Sequence, residues 1–224
     1  MSFKVNESIG WGSHQPLLYA MMEVLEPQFV LELGVGMHST PIFLDSSCQK
    51  IISIETNLVW IEYVKSRLRG MNKLELIHHK LDDRIKDAAF LRDLSVEQMK
   101  VIVNYYDDML DAIDEKKYHP KLLFVDNLTC CRNLAINTMF SFFDAIIYHD
   151  CEPNGILWYE YGFSGNLLSE YDQYVLEMSN QPWTGCFIKG SDSGARLENC
   201  IGKYIDKYIE EVGPKTEVIS LEKF

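Results

Sequence analysis

The chain has 224 residues, of which 47% are hydrophobic and 24% charged, and it carries a formal net charge of -12. That length and balance fit one domain, residues 1–224, with a sizeable core. The excess of acid, with lysines and arginines scattered rather than clustered, argues against nucleic acid and against anionic membrane surfaces as partners. No apolar run approaches the ~20 residues that a membrane helix needs. The opening MSFKVNESIGWGS has neither the basic start nor the apolar core of a signal peptide, so a soluble cytoplasmic protein is expected. Six cysteines occur without a C-x-x-C pair; in such a chain they read as free thiols, mostly buried, with Cys151 the least ordinary because of the loop it occupies.

In chain order, a helix is expected at about 11–27, with Ser13 as its cap, an apolar stripe through Leu17, Leu18, Met21, Met22 and Leu25, and Pro27 as its stop. FVLEL is a buried strand, HSTPIFLDSS opens a helix with Pro41 in its first turn, and KIISIE is a second strand. A helix follows in LVWIEYVKSRLRG, with Leu58, Ile61, Val64 and Leu68 on one face and Gly70 as its stop, and then a third strand in KLELIHH. The segment of about 82–119 reads as an inserted helical piece, with Ser95 and Gln98 forming a capping box for a helix of about 95–115. It could serve as a lid or as the surface of a homodimer. KLLFVDN is a fourth strand, RNLAINTMFSFF a helix, AIIYHD a fifth strand, LLSEYDQYVLEMSN a helix, GCFIKG a strand, LENCIGKYIDKYIEEVG a helix and TEVISLEKF a closing strand. Strands that alternate with helices pair in parallel through right-handed crossovers. The expected fold is α/β, a doubly wound, mostly parallel seven-stranded sheet of Rossmann-like form.

In such a sheet ligands bind beyond the carboxyl ends of the strands. There each of the first five strands meets an acid: Glu32, Glu55, Asp82 or Asp83, Asp126 and Asp150. Acids favour loops and helix starts in any protein, so one of them would mean little; five on one edge mean more. After the first strand, Gly34 and Gly36 permit a sharp turn and close approach to a ligand. Glu55 follows Gly34 by 21 residues, where a carboxylate can accept both hydroxyls of a ribose. Both NAD and S-adenosylmethionine carry that ribose. The dinucleotide pattern wants glycine or alanine where Ser39 stands, and Glu32 would repel a pyrophosphate while suiting a cationic methionine group.

VLELGVGMHST resembles motif I of the class I S-adenosylmethionine-dependent methyltransferases, and IISIETNLVW resembles their second motif with its ribose-binding acid. LLFVDN with Arg132, and AIIYHDCEP, are similar to the fourth and fifth strand ends of small-molecule members. The resemblance implies that Glu32, Gly34 and Gly36 line the methionine part and that Ser39 and Thr40 cap the next helix and reach the carboxylate. It further implies that Glu55 holds the ribose, that Thr56 and Asn57 flank the adenine, that Asp82 (or Asp83) accepts the adenine amino group, and that Asp126 faces the cofactor, S-adenosyl-L-methionine.

Methyl transfer from a sulfonium is an in-line displacement, so positioning and exclusion of water dominate, and a base is needed only where the acceptor must lose a proton. His149 and Asp150, at the end of the fifth strand, are the expected catalytic pair, although His149 could face away because neighbours alternate along a strand. Glu152 shares their loop. Trp11, His14 and the aromatic stretch around Trp158 could cover a small-molecule, sugar or side-chain acceptor, or simply pack. The magnesium pattern of catechol O-methyltransferase-like enzymes is not met: His-Asp stands where Asp-Asn belongs, so no metal is expected. Two other readings compete with methyl transfer, a non-catalytic domain of the same fold that senses a cofactor or binds a partner, and a nicotinamide-dependent oxidoreductase.

Overall fold

Phe29–Leu33 (β1) is buried along its whole length, as a strand must be when helices cover both faces of its sheet. In the computed structural model, which describes residues 12–113, 117–151, 162–178, 181–212 and 218–223, β1 lies between Lys50–Glu55 (β2) and Lys121–Val125 (β4), parallel to both. Leu74–His78 (β3) extends the sheet beyond β2, and Ala145–His149 (β5) extends it beyond β4. Thr184–Lys189 (β7), Tyr171–Met178 (β6) and Val218–Lys223 (β8) complete it antiparallel, in the order β3-β2-β1-β4-β5-β7-β6-β8. The chain order reverses between β1 and β4, where the loops leaving the two strands diverge and open a crevice.

The alternation of side chains along β1 feeds two cores. Phe29, Leu31 and Leu33 face one layer with Ile102 and Tyr106 of Val96–Asp111 (α5) and Ala135 and Ile136 of Thr129–Met139 (α6). Val30 faces the other, with Leu17, Leu18 and Met21 of Gln15–Leu25 (α1) and Leu197 and Ile201 of Ser191–Val212 (α8). The shorter helices Thr40–Asp45 (α2), Leu58–Lys65 (α3), Asp83–Lys86 (α4) and Gly165–Glu170 (α7) complete the two layers. Ser95 and Gln98 make the expected reciprocal cap at the start of α5. That helix packs against α6 as part of the helical layer. All six cysteines are free thiols.

The structure corrects three expectations. Within LLSEYDQYVLEMSN, expected as a helix, the described residues are the end of a short helix followed by a strand, giving eight strands where seven were expected. Its apolar residues are spaced as for a helix, but Tyr171, Tyr174 and Val175 suit a pleated surface, and hydrogen bonding to β7 on one side and β8 on the other decides the outcome. The far part of the sheet is therefore antiparallel. Ser13 does not cap α1; His14 occupies the cap position without a side-chain hydrogen bond, while Ser13 Oγ lies 2.9 Å from His149 Nε2. Leu58 is 53% exposed, so the buried stripe of α3 reduces to Ile61 and Val64. Among the described residues no helix is long and apolar enough to cross a membrane.

Candidate active site

Where β1 ends, Gly34 turns with φ +92°, and its N–H donates to Ile54 O at 2.8 Å. The N–H of Asp126 in turn donates to Leu33 O at 2.8 Å. The contact between the two strand ends is so close that a Cβ built on Gly34 would stand 2.2 Å from the carbonyl oxygen of Asp126. Glycine is required there on both counts.

The loop that follows is tied down from beneath. Ser39 Oγ donates to Glu32 Oε1 at 2.5 Å, Thr40 Oγ1 lies 2.9 and 2.8 Å from the two oxygens, and the Ser53 hydroxyl on β2 donates to Oε2. Thr40 Oγ1 also accepts the Gly36 N–H at 3.1 Å. Glu32 is fully buried; burial pushes its carboxyl up to about 7 even though three hydroxyls pull it back. On the other side of the loop Trp60 Nε1 donates to Val35 O at 2.6 Å, and Trp60 stacks on Tyr63.

Two cavities open at this edge and share Gly34, Glu55 and Asp126. One, of about 310 Å³, is walled by Ile54, His79, Leu81, Tyr106 and Leu128. The other, of about 470 Å³, is walled by His14, Met37, His38, Trp60 and Tyr63. Between them Glu55 Oε1 accepts the N–H groups of Thr56 and Asn57 at 2.7 and 2.8 Å, which fixes the carboxylate at the end of β2. Together they form one cleft, with Ile54, Leu81, Tyr106 and Leu128 among the walls of one compartment and Trp60, Tyr63 and two imidazoles among the walls of the other.

Arg132 of α6 lies behind this cleft. Its guanidinium donates to Asp126 Oδ1 (3.0 Å), Asp150 Oδ2 (2.7 Å), His149 O (2.8 Å) and Asn127 O (2.9 Å), joining the ends of β4 and β5. Asp150 sits at φ +58°, a left-handed turn that asparagine and aspartate tolerate. Burial alone would raise the Asp126 carboxyl, but His149, 3.3 Å away, and Arg132 hold it well below the usual range. His149 is lowered by burial and raised more strongly by Asp126, for a net upward shift. Burial, with His149 close by, lowers His14 to about 3.

No family model and no curated protein matches this sequence. Solved structures do match its fold. An O-methyltransferase from Bacillus cereus, crystallised in complex with SAH, superposes with a TM-score of 0.52 at 13% identity, over 84% of each chain. A provisionally named O-methyltransferase from Klebsiella pneumoniae superposes with a TM-score of 0.55 at 10% identity, over 83% of this chain and 84% of that one. The chain has the class I methyltransferase fold. Spermidine synthase from Thermotoga maritima also matches, with a TM-score of 0.53 at 11% identity, over 90% of this chain and 74% of that one. The same fold therefore serves more than one reaction, and the chemistry must be argued from the site.

Within this methyltransferase fold the residues singled out by sequence fall in different places. Gly34, Gly36, Ser39, Glu55, Thr56, Asp126 and His14 line the cleft. Asn57 caps α3 through Trp60 N and borders the outer groove beside Glu55. Glu32 and Thr40 lie beneath the loop and line neither cavity; the Glu32 carboxyl is occupied by three hydroxyls and shapes the loop. Asp82 caps α4 and pairs with Arg84 at 3.2 Å, and it walls neither cavity. His149 and Asp150 are brought together in the ion cluster with Asp126 and Arg132, next to the cleft-lining Asp126. Trp11, Glu152 and Trp158 lie outside the described residues.

Sequence reading missed Trp60, Tyr63 and Tyr106. Trp60 and Tyr63 are spaced three apart on α3, off its apolar stripe, a pattern that an aromatic wall leaves in a sequence.

The Glu32 cluster has a measurable consequence. The folded carboxyl keeps its proton up to about 7, against 4.5 for an ordinary glutamate. As pH rises from 4.5 to 7 the unfolded chain releases this proton and the folded chain does not, so stability falls across that interval. Each pH unit of it is worth roughly 1.36 kcal/mol, or about 3 kcal/mol in all. Glu32→Gln keeps hydrogen-bonding capacity toward the hydroxyls and removes the titration. Urea unfolding of the two proteins between pH 5 and 8 should therefore show the wild type losing stability relative to the variant; parallel profiles would refute a buried, proton-holding Glu32.

Proposed function

We propose that this protein transfers the methyl group of S-adenosylmethionine to a small-molecule acceptor bound in the cavity beside His14, Trp60 and Tyr63. The observation that carries this reading is the pair of cavities meeting at Gly34, Glu55 and Asp126, at the point where the strand order reverses. The residues present fit that cofactor. Leu81, Tyr106 and Leu128 offer apolar surface to a flat base, and Glu55, already anchored through Oε1, can accept ribose hydroxyls. Gly34 leaves the backbone bare where the chain of the cofactor must pass. When bound, the sulfonium supplies an electrophilic methyl group and departs as a thioether.

The protein's own part is placement and electrostatics. Asp126, kept ionised by its neighbours, presents negative charge where the two cavities join and so favours a cationic group there. Met37, Trp60 and Tyr63 give the acceptor cavity an apolar, partly water-excluding wall. Its volume of about 470 Å³ suits a small molecule.

Glu55→Ala tests the assignment. It removes the ribose acceptor at a modest local cost, since the amides of Thr56 and Asn57 can turn to water. The affinity for S-adenosylhomocysteine, measured by calorimetry, should fall at least tenfold while the thermal melt of the free protein shifts by only a few degrees. Unchanged affinity would exclude Glu55 as the ribose ligand and remove the main support for this orientation of the cleft.

A further inference from the structure

His14 is only 2% exposed, and among the described residues neither of its ring nitrogens has a hydrogen-bond partner. Leaving a buried polar group unmet costs about 1–3 kcal/mol, a cost the fold accepts at a residue it places on the cavity wall. The ring stands edge-on to His149, with centroids 4.8 Å apart, and against Phe124. One donor atom from each of His14, Asp126 and His149 lies within 4.8 Å of the others. These three residues come from the turn before α1, the loop after β4 and the last position of β5.

We propose that His14, Asp126 and His149 bind one divalent transition-metal ion of zinc-like chemistry, with an open coordination position facing the cavity that His14 and Asp126 line. Two imidazoles and one carboxylate suit zinc, cobalt or iron(II), whereas magnesium favours an all-oxygen set. This donor set thus differs from the magnesium pattern considered in the sequence, whose Asp-Asn pair is missing here. Three protein ligands that leave one position open are the arrangement of a reactive rather than a purely structural metal site.

The surroundings fit. Ser13 Oγ holds His149 Nε2 at 2.9 Å, which leaves Nδ1 turned toward Asp126 as the ligating nitrogen and provides the outer hydrogen bond typical of a metal-bound histidine. Donors around a tetrahedral zinc stand about 3.3 Å apart, given metal–ligand distances near 2.0–2.1 Å. His149 Nδ1 and Asp126 Oδ1 are already 3.3 Å apart. The remaining closure falls to the His14 ring, which no hydrogen bond restrains.

The site stands whether or not the cleft transfers methyl groups, because metal binding is read without turnover. Tag-free protein, stripped with EDTA and dialysed, is titrated with Co²⁺ and followed by visible absorption. One equivalent should bind with the intense visible band of four- or five-coordinate cobalt, Zn²⁺ should displace it, and excess Mg²⁺ should not. His14→Gln should weaken cobalt binding at least 100-fold. Proton NMR of the cobalt form of the wild type adds a readout independent of any variant's folding: it should show paramagnetically shifted signals from two imidazole rings. Absence of the band, shifted signals from fewer than two imidazoles, retention of the band in a folded His14→Gln protein, or displacement by Mg²⁺ as readily as by Zn²⁺ would each overturn the assignment.

Discussion

Gly34→Ala is expected to destabilise the protein by about 3–5 kcal/mol and to abolish cofactor binding. Two costs combine. Alanine at φ +92° pays for a left-handed backbone, about 1–2 kcal/mol. Its Cβ would also lie 2.2 Å from the Asp126 carbonyl oxygen, a backbone atom that cannot swing aside. Relief requires parting the ends of β1 and β4, which breaks the bond from Asp126 N to Leu33 O and displaces the carboxylate shared by both cavities. Gly70→Ala is the control. Gly70 also has positive φ (+68°), but nothing lies within 4 Å of its added methyl group, so it should cost only about 1 kcal/mol and leave ligand binding intact. Urea unfolding and ligand titration of the two variants separate backbone strain from collision. Equal losses would mean that the close approach of Gly34 to Asp126 does not shape the site.

Arg132→Met is expected to cost about 3–5 kcal/mol, because it strips a buried cluster of its fixed cation and leaves the carboxylates behind. Four hydrogen bonds vanish together, two of them to Asp126 and Asp150 and two to the main-chain oxygens of Asn127 and His149. The ends of β4 and β5 lose the side chain that ties them to α6. Arg132→Lys should recover only part of the loss, since an ammonium cannot reach four acceptors as a planar fork does. Denaturant unfolding near pH 7 measures both variants. A cost below about 1 kcal/mol for Arg132→Met would place this cluster with ordinary surface ion pairs, contrary to its burial.

The elements that sequence made legible are those whose signals are local. The alternation of apolar strands with capped helices showed through β5, and the Ser95–Gln98 box marks its helix start correctly. The glycine turn and Glu55 fall together on one cleft because a strand, a turn and a second strand fix their spacing. What stayed hidden depends on distant partners. The segment forming β6 has helix-like apolar spacing, and only its neighbours in the sheet make it a strand.

His14 could be read as covering an acceptor or as simple packing, and the packing of α1 across the sheet carries it to the carboxyl edge beside Asp126 and His149. Glu32 looked like a ligand contact because its position matches the motif. That three hydroxyls from two other elements would occupy it could not be read from its own neighbours in sequence. The inserted segment offered no choice between lid and dimer surface in its sequence; the structure shows that Ile102 and Tyr106 of α5 are buried against α6.

The most direct test of the central claim is a calorimetric titration of the wild-type protein with S-adenosylhomocysteine, with NADH as the control. The cleft at Gly34, Glu55 and Asp126 should take up one equivalent of S-adenosylhomocysteine with micromolar affinity and leave NADH in solution. Binding of NADH without binding of S-adenosylhomocysteine would contradict the account and assign the cleft to a different cofactor.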